Sequence, residues 1–105
     1  MDVAATVTTG TGSYRVRTRD ISRGGVSFHA PVPLERGTAF TIELALVFEG
    51  RARSEPLALA GQVVWCTRRK DDYQVGAAFL SLDETTRKHL AMFLDFLAES
   101  RSQQP

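Results

Sequence analysis

Along most of this chain apolar and polar residues alternate with a period of two, and the period lengthens only near the C terminus. Side chains of a strand point to opposite faces in turn, so each alternating run predicts a strand with one buried face. Val3, Ala5 and Val7 mark a short first strand, and residues 9–13 (TGTGS) supply a glycine-rich reversal. In the next run Tyr14, Val16 and Thr18 face one side while Arg15, Arg17 and Arg19 face the other. Asp20, Ser22, Gly24 and Gly25 then read as a turn, because short polar side chains bond nearby backbone and glycine tolerates positive φ. Val26 and Phe28 begin the strand that leaves it.

Pro31 and Pro33 cannot donate to an interior ladder, so residues 30–38 are predicted to be a surface connection. Residues 38–48 give the clearest strand, with Phe40, Ile42, Leu44, Leu46 and Phe48 on the core face. A polar loop follows over 49–55, closed by Pro56. Leu57, Leu59, Gly61, Val63 and Trp65 alternate through a fifth strand, and Val64 and Cys66 make its far end apolar on both faces, which predicts burial on both sides there. Residues 67–72 (TRRKDD) form a charged hairpin tip. Tyr73, Val75, Ala77 and Phe79 form the last strand, with Gly76 allowing close approach of a neighbour.

From Ser81 the pattern becomes helical. Ser81 with Glu84 three residues on reads as a cap, with acids in the first turn where the helix dipole favours them. The helix is predicted to run to about Glu99, and Leu90, Phe93, Leu94 and Leu97 hold the i, i+3, i+4, i+7 spacing of a core stripe. His89, Met92 and Phe96 lie on a flank. Either the core-facing surface is wide, or these three meet another subunit or a partner. Six strands with turn signals at short intervals and one helix predict a mainly β fold, a small six-stranded antiparallel barrel with a C-terminal α-helix, since closure removes sheet edges. Residues 1–100 are expected to be a single domain and 101–105 a disordered tail.

Composition narrows the function. The chain has 105 residues, 43% hydrophobic and 24% charged, as in a single globular domain. No apolar run approaches the roughly 20 residues of a membrane span and no signal sequence opens the chain, so a cytoplasmic location is expected. One cysteine, Cys66, and two histidines, His29 and His89, offer neither an internal disulfide nor a structural zinc site. A net charge of +1 argues against nucleic-acid binding. Locally, however, four arginines (15, 17, 19 and 23) face the single Asp20, which favours an anionic ligand.

Asp20, Ser22 and Gly25 have the spacing Asp-x-Ser-x-x-Gly, and GQVVW at 61–65 and YQVGAAF at 73–79 follow in order. With the charged hairpin and the closing helix, this arrangement resembles the PilZ family, small bacterial β-barrel domains of which many bind cyclic di-GMP. The resemblance spans nearly the whole chain. It implies that Asp20 and Ser22 hydrogen-bond guanine or backbone, and that Gly25 permits close approach. Ligand-binding members are similar in gripping phosphates and guanine edges with an Arg-x-x-x-Arg segment ahead of the first strand, where the planar guanidinium can donate two parallel bonds.

Here the first strand is predicted to begin within two or three residues of Met1, which leaves no residues for that segment. Arg15 and Arg19 match its letters, but on a strand their Cα atoms stand roughly 13 Å apart and form no mobile clamp. Two readings follow. The first is an atypical PilZ-like regulatory domain that acts by protein–protein interaction, with weak or no cyclic di-GMP binding and with His89, Met92 and Phe96 as partner-binding candidates; a homodimer through the helix belongs to this reading. The second is a cyclic di-GMP receptor in which Arg15, Arg17, Arg19, Asp20, Ser22, Arg23 and Gly25 bind the dinucleotide. No other cofactor, no metal and no enzymatic activity are expected: Asp20, Ser22 and His29 make a hydrolytic trio only on paper, without a nucleophile elbow.

Overall fold

The computed structural model describes residues 2–48, 50 and 52–102. Among them the chain forms β1 (Asp2–Thr9), β2 (Gly12–Ile21), β3 (Gly25–Ala30), β4 (Ala39–Val47), β5 (Leu57–Arg68), β6 (Tyr73–Phe79) and α1 (Glu84–Ser102). All neighbouring strands are antiparallel, in the order β1-β2-β3-β6-β5-β4, and pairing of β4 with β1 closes the barrel. Among the described residues every strand is paired on both sides, so the sheet offers no long free edge for pairing with another chain.

The alternation predicts the inward face well. Val7, Val16, Val26, Phe28, Phe40, Ile42, Leu44, Leu59, Val63 and Val75 are all buried. Phe28 and Phe40 meet edge to face, with centroids 6.0 Å apart. Leu90, Phe93 and Leu97 of α1 enter the same core, and Leu94 packs against it half-buried.

Several expectations need correction. The helix is capped by Asp83 and not by Ser81: the Thr86 amide donates to Asp83 Oδ1 at 2.7 Å. This bond stabilises the charged carboxylate and holds its pKa below the usual aspartate value. Phe48 is not a core residue. The strand ends at Val47, the Phe48 amide donates to the Ala52 carbonyl at 2.8 Å, and the ring is 38% exposed. Nor is the far end of β5 buried on both sides, because Val64 and Trp65 are both exposed and only Cys66 packs against the core. The helix continues through Ser102, past the predicted Glu99. Glu49 and Arg51 of the polar loop, and residues 103–105 of the expected tail, lie outside the described residues.

No helix among the described residues is long and apolar enough to cross a membrane.

Candidate functional site

Two β-bulges build the outer surface around the Asp-x-Ser-x-x-Gly turn. In β2 the register steps from Thr18↔Phe28 to Asp20↔Ser27, which leaves Arg19 as an extra residue. In β5 it steps from Val63↔Ala77 to Trp65↔Gly76, which leaves Val64 extra. An extra residue inverts the parity of everything after it. Asp20 would otherwise share the inward face of Thr18, and Trp65 that of Val63. Both are turned outward instead, while Ile21 and Cys66 turn in.

The consequence is one row across four strands. Asp20 pairs with Ser27, Ser27 with Gly76, and Gly76 with Trp65. The row spans three strand spacings, about 14 Å. Trp65 lies flat across Gly76: a Cβ on that glycine would sit 2.1–2.5 Å from three indole atoms. A shallow pocket of about 270 Å³ follows the row and is lined by Asp20, Ser22, Ser27, Trp65 and Gly76 among others. It is below the roughly 300 Å³ at which small-molecule pockets begin, so it suits one base and not a whole dinucleotide.

The three residues of the motif divide their work. Asp20 is open to a ligand: its side chain is 79% exposed and its ion pair to Arg19 Nε, at 3.8 Å, is long and solvated. Ser22 is committed to the turn. Its hydroxyl oxygen accepts from the amides of Gly24 and Gly25, each at 3.3 Å, and its own amide donates to the Gly25 carbonyl at 2.9 Å. Gly25 is required by packing within the barrel, since a Cβ there would come within 2.3 Å of the Ala77 carbonyl oxygen. The close approach that the motif implies is thus made by β6.

The arginines do not converge. Arg15 and Arg17 are exposed on β2, in register with Thr6 and His29 respectively. Arg19 occupies the bulge. Arg23 points away, toward the start of α1, where it lines a cavity of about 470 Å³ with Leu82, Glu84 and Arg87. His29 is held by Arg69, whose Nη1 lies 2.9 Å from Nδ1 and also contacts Nε2; Arg69 in turn pairs with Asp72 at 3.2 Å. The trio of Asp20, Ser22 and His29 is therefore not assembled, because Ser22 bonds backbone and His29 bonds Arg69.

The helix flank is a second surface. His89, Met92 and Phe96 come together beside Phe48 and Leu57 in a groove of about 430 Å³. Met92 is 58% and Phe96 48% exposed, so a wide core-facing surface does not account for them.

Sequence reasoning missed Ser27 and Trp65 as site residues. The available signal was the run Val63-Val64-Trp65-Cys66, whose apolar residues do not alternate, opposite a glycine in the next strand.

A closed barrel with an outward-facing pocket at a polar hairpin corner and a helix across its core defines a small recognition domain. The family model of the PilZ domain matches residues 1–96, and the chain belongs to this family. No curated protein matches the sequence. Membership makes it a regulatory domain of the kind associated with cyclic di-GMP signalling.

Proposed function

We propose that this PilZ domain recognises cyclic di-GMP through one guanine at the outer pocket and acts by contact with a protein. The observation that carries the reading is the row of Asp20, Ser27, Gly76 and Trp65. A guanine presents two N–H donors on its Watson–Crick edge, and an exposed carboxylate accepts both. The indole offers a stacking face, and Gly76 lets that indole lie against the barrel wall. Arg17 and Arg19, exposed on the same strand as Asp20, are the cations this reading assigns to phosphate.

Magnitudes make this a weak site. Stacking contributes about 1–3 kcal/mol. A charge-assisted bond adds about 1.5–3 kcal/mol. Immobilising the ligand opposes them with at least about 4 kcal/mol. With both guanine N–H groups bonded to Asp20 and each contribution near its upper value, the balance is about −5 kcal/mol, a dissociation constant in the high micromolar range. Arg15 and Arg19, fixed on a strand, cannot add to it by closing around the phosphates.

Titration calorimetry with cyclic di-GMP, run beside Trp65 fluorescence, tests the reading. Binding that quenches Trp65 and is lost in Asp20→Ala is expected. Absence of heat and of quenching up to about 1 mM ligand, a concentration that still detects about −4 kcal/mol, overturns it.

A second reading, protein contact without the nucleotide, is favoured by the groove of Phe48, Met92 and Phe96. It makes the domain's output independent of Asp20.

A further inference from the structure

The exposed side of α1 carries a seven-residue pattern that the barrel does not use. Residues seven apart on a helix drift by only about 20°, so they form nearly straight lines. Thr85, Met92 and Glu99 make one such line. Lys88 and Asp95 make a line along one edge of it, and His89 and Phe96 along the other. All seven are exposed. The buried stripe of Leu90, Phe93 and Leu97 lies on the opposite side and at the flank.

This face is complementary to itself in one orientation. We propose that α1 pairs with α1 of a second copy, antiparallel, with Met92 on the two-fold axis. In that arrangement each edge meets the same edge of the other helix, and residue numbers facing one another sum to about twice 92. Lys88 then faces Asp95 of the second copy, and Asp95 faces Lys88, giving two reciprocal opposite-charge contacts. On the other edge His89 faces Phe96 twice, laying an imidazole against a phenyl ring next to Phe48. Met92 meets Met92, and a flexible thioether adapts to its own image. A parallel pairing sets the Lys88–Asp95 edge of each helix against the His89–Phe96 edge of the other, so neither opposite-charge contact forms. Antiparallel helices also align their dipoles favourably.

The occupant is thus specified by charge and not by apolar exposure alone. Lys88 is 73% exposed and its internal ion pair to Glu84, at 3.5 Å, is loose enough to be exchanged. The 19 residues of α1 span about 28 Å. One helix face with the rim of the groove falls below the roughly 800 Å² per partner of a standard interface, so a dimer with a micromolar dissociation constant is expected. The pairing leaves the row of Asp20 and Trp65 uncovered, because that row lies on strands β2, β3, β6 and β5 and shares no residue with the helix face. It stands whether or not the pocket binds a nucleotide.

Sedimentation equilibrium of the 105-residue chain, from a few micromolar to about 1 mM, tests it. The mass is expected to rise from 11.6 kDa toward twice that value as concentration increases. Met92→Glu, which places two carboxylates on the axis, is expected to stay monomeric throughout. Lys88→Glu is expected to raise the dissociation constant roughly tenfold, since two attractive contacts become repulsive. Lys88→Glu combined with Asp95→Lys restores both contacts with signs exchanged and is expected to return within about threefold of the wild type. A wild-type chain that stays at the monomer mass over the whole range overturns the proposal. So does a double variant that dissociates as readily as Lys88→Glu.

Discussion

Gly76→Ala tests the geometry on which the outer pocket depends. The added methyl would sit 2.1–2.5 Å from Cε2, Nε1 and Cζ2 of Trp65, where contact between carbons needs about 3.5 Å. The backbone of β6 is fixed by β3 and β5 on either side, so the ring must move. Trp65 is 42% exposed, and burying a little over half of about 250 Å² removes roughly 140 Å² from water. At about 25 cal/mol per Å² that is about 3.5 kcal/mol. Lifting the ring from one side forfeits about half. Loss of glycine's freedom in the unfolded chain returns about 0.4–1 kcal/mol. A net destabilisation of about 1 kcal/mol follows, or about 4–8 °C in Tm.

The decisive readout is optical, because Trp65 is the single tryptophan of the chain. In Gly76→Ala its emission is expected to shift to the red and acrylamide quenching to rise, as the indole moves into water. Cyclic di-GMP affinity is expected to fall roughly tenfold, the loss of about 1.4 kcal/mol of stacking. Unchanged emission, quenching and Tm would refute the placement of the indole on Gly76. A red shift with undiminished binding would keep the placement and remove Trp65 from the ligand site.

Gly25→Ala is expected to be far more damaging than Gly76→Ala, since its methyl meets the Ala77 carbonyl oxygen at 2.3 Å and neither backbone can swing aside; chemical denaturation should show a loss of several kcal/mol, about the upper range of overpacking or beyond. Asp20→Ala, by contrast, removes an exposed side chain and should leave the unfolding free energy within about 0.5 kcal/mol of the wild type, so the two outer residues of one motif separate into a folding and a binding role. Asp83 has a lowered pKa because the Thr86 amide bonds its charged form, so its stabilising effect is full above the ordinary aspartate pKa and is lost as pH falls through the lowered one. Acid titration followed by helical circular dichroism should show Asp83→Asn less sensitive than the wild type below about pH 4.

How much of this was legible in the sequence depends on parity. A period of two assigns inward and outward faces as long as each residue advances the pattern by one, and for β1, β3, β4 up to Leu46 and β6 that holds. Hence the barrel core could be read from Val7, Phe28, Ile42 and Val75 directly. At Arg19 and Val64 the backbone adds a residue to one strand only, and no local propensity announces it. Arg19-Asp20 reads as strand running into turn, and Val64-Trp65 as a doubly apolar strand end. The same limit explains Ser81, since a capping pattern one or two residues long can slide along the sequence until Asp83 takes the bond to Thr86. It also explains Phe48, the fifth residue of a perfect alternation, which leaves the sheet because its amide finds Ala52 in the following loop.

The two bulges have to be considered together, because neither makes a site alone. Without the extra Arg19, the carboxylate of Asp20 would be aimed at Phe28 and Val16, a buried charge that no cation in the core could offset. Without the extra Val64, Trp65 would compete with Phe40 and Val63 for interior volume already filled, and the outer wall at Gly76 would be bare. Each bulge moves one unsuitable residue out of the core, and the strands between them, β3 and β6, are the only separation between the two. The pairing Ser27↔Gly76 then sets the width of the pocket at one small polar and one absent side chain. Stability of the barrel and formation of the pocket therefore arise from the same two local irregularities, which is why the pocket's shape should survive changes to Asp20 but not restoration of a regular register in β2 or β5.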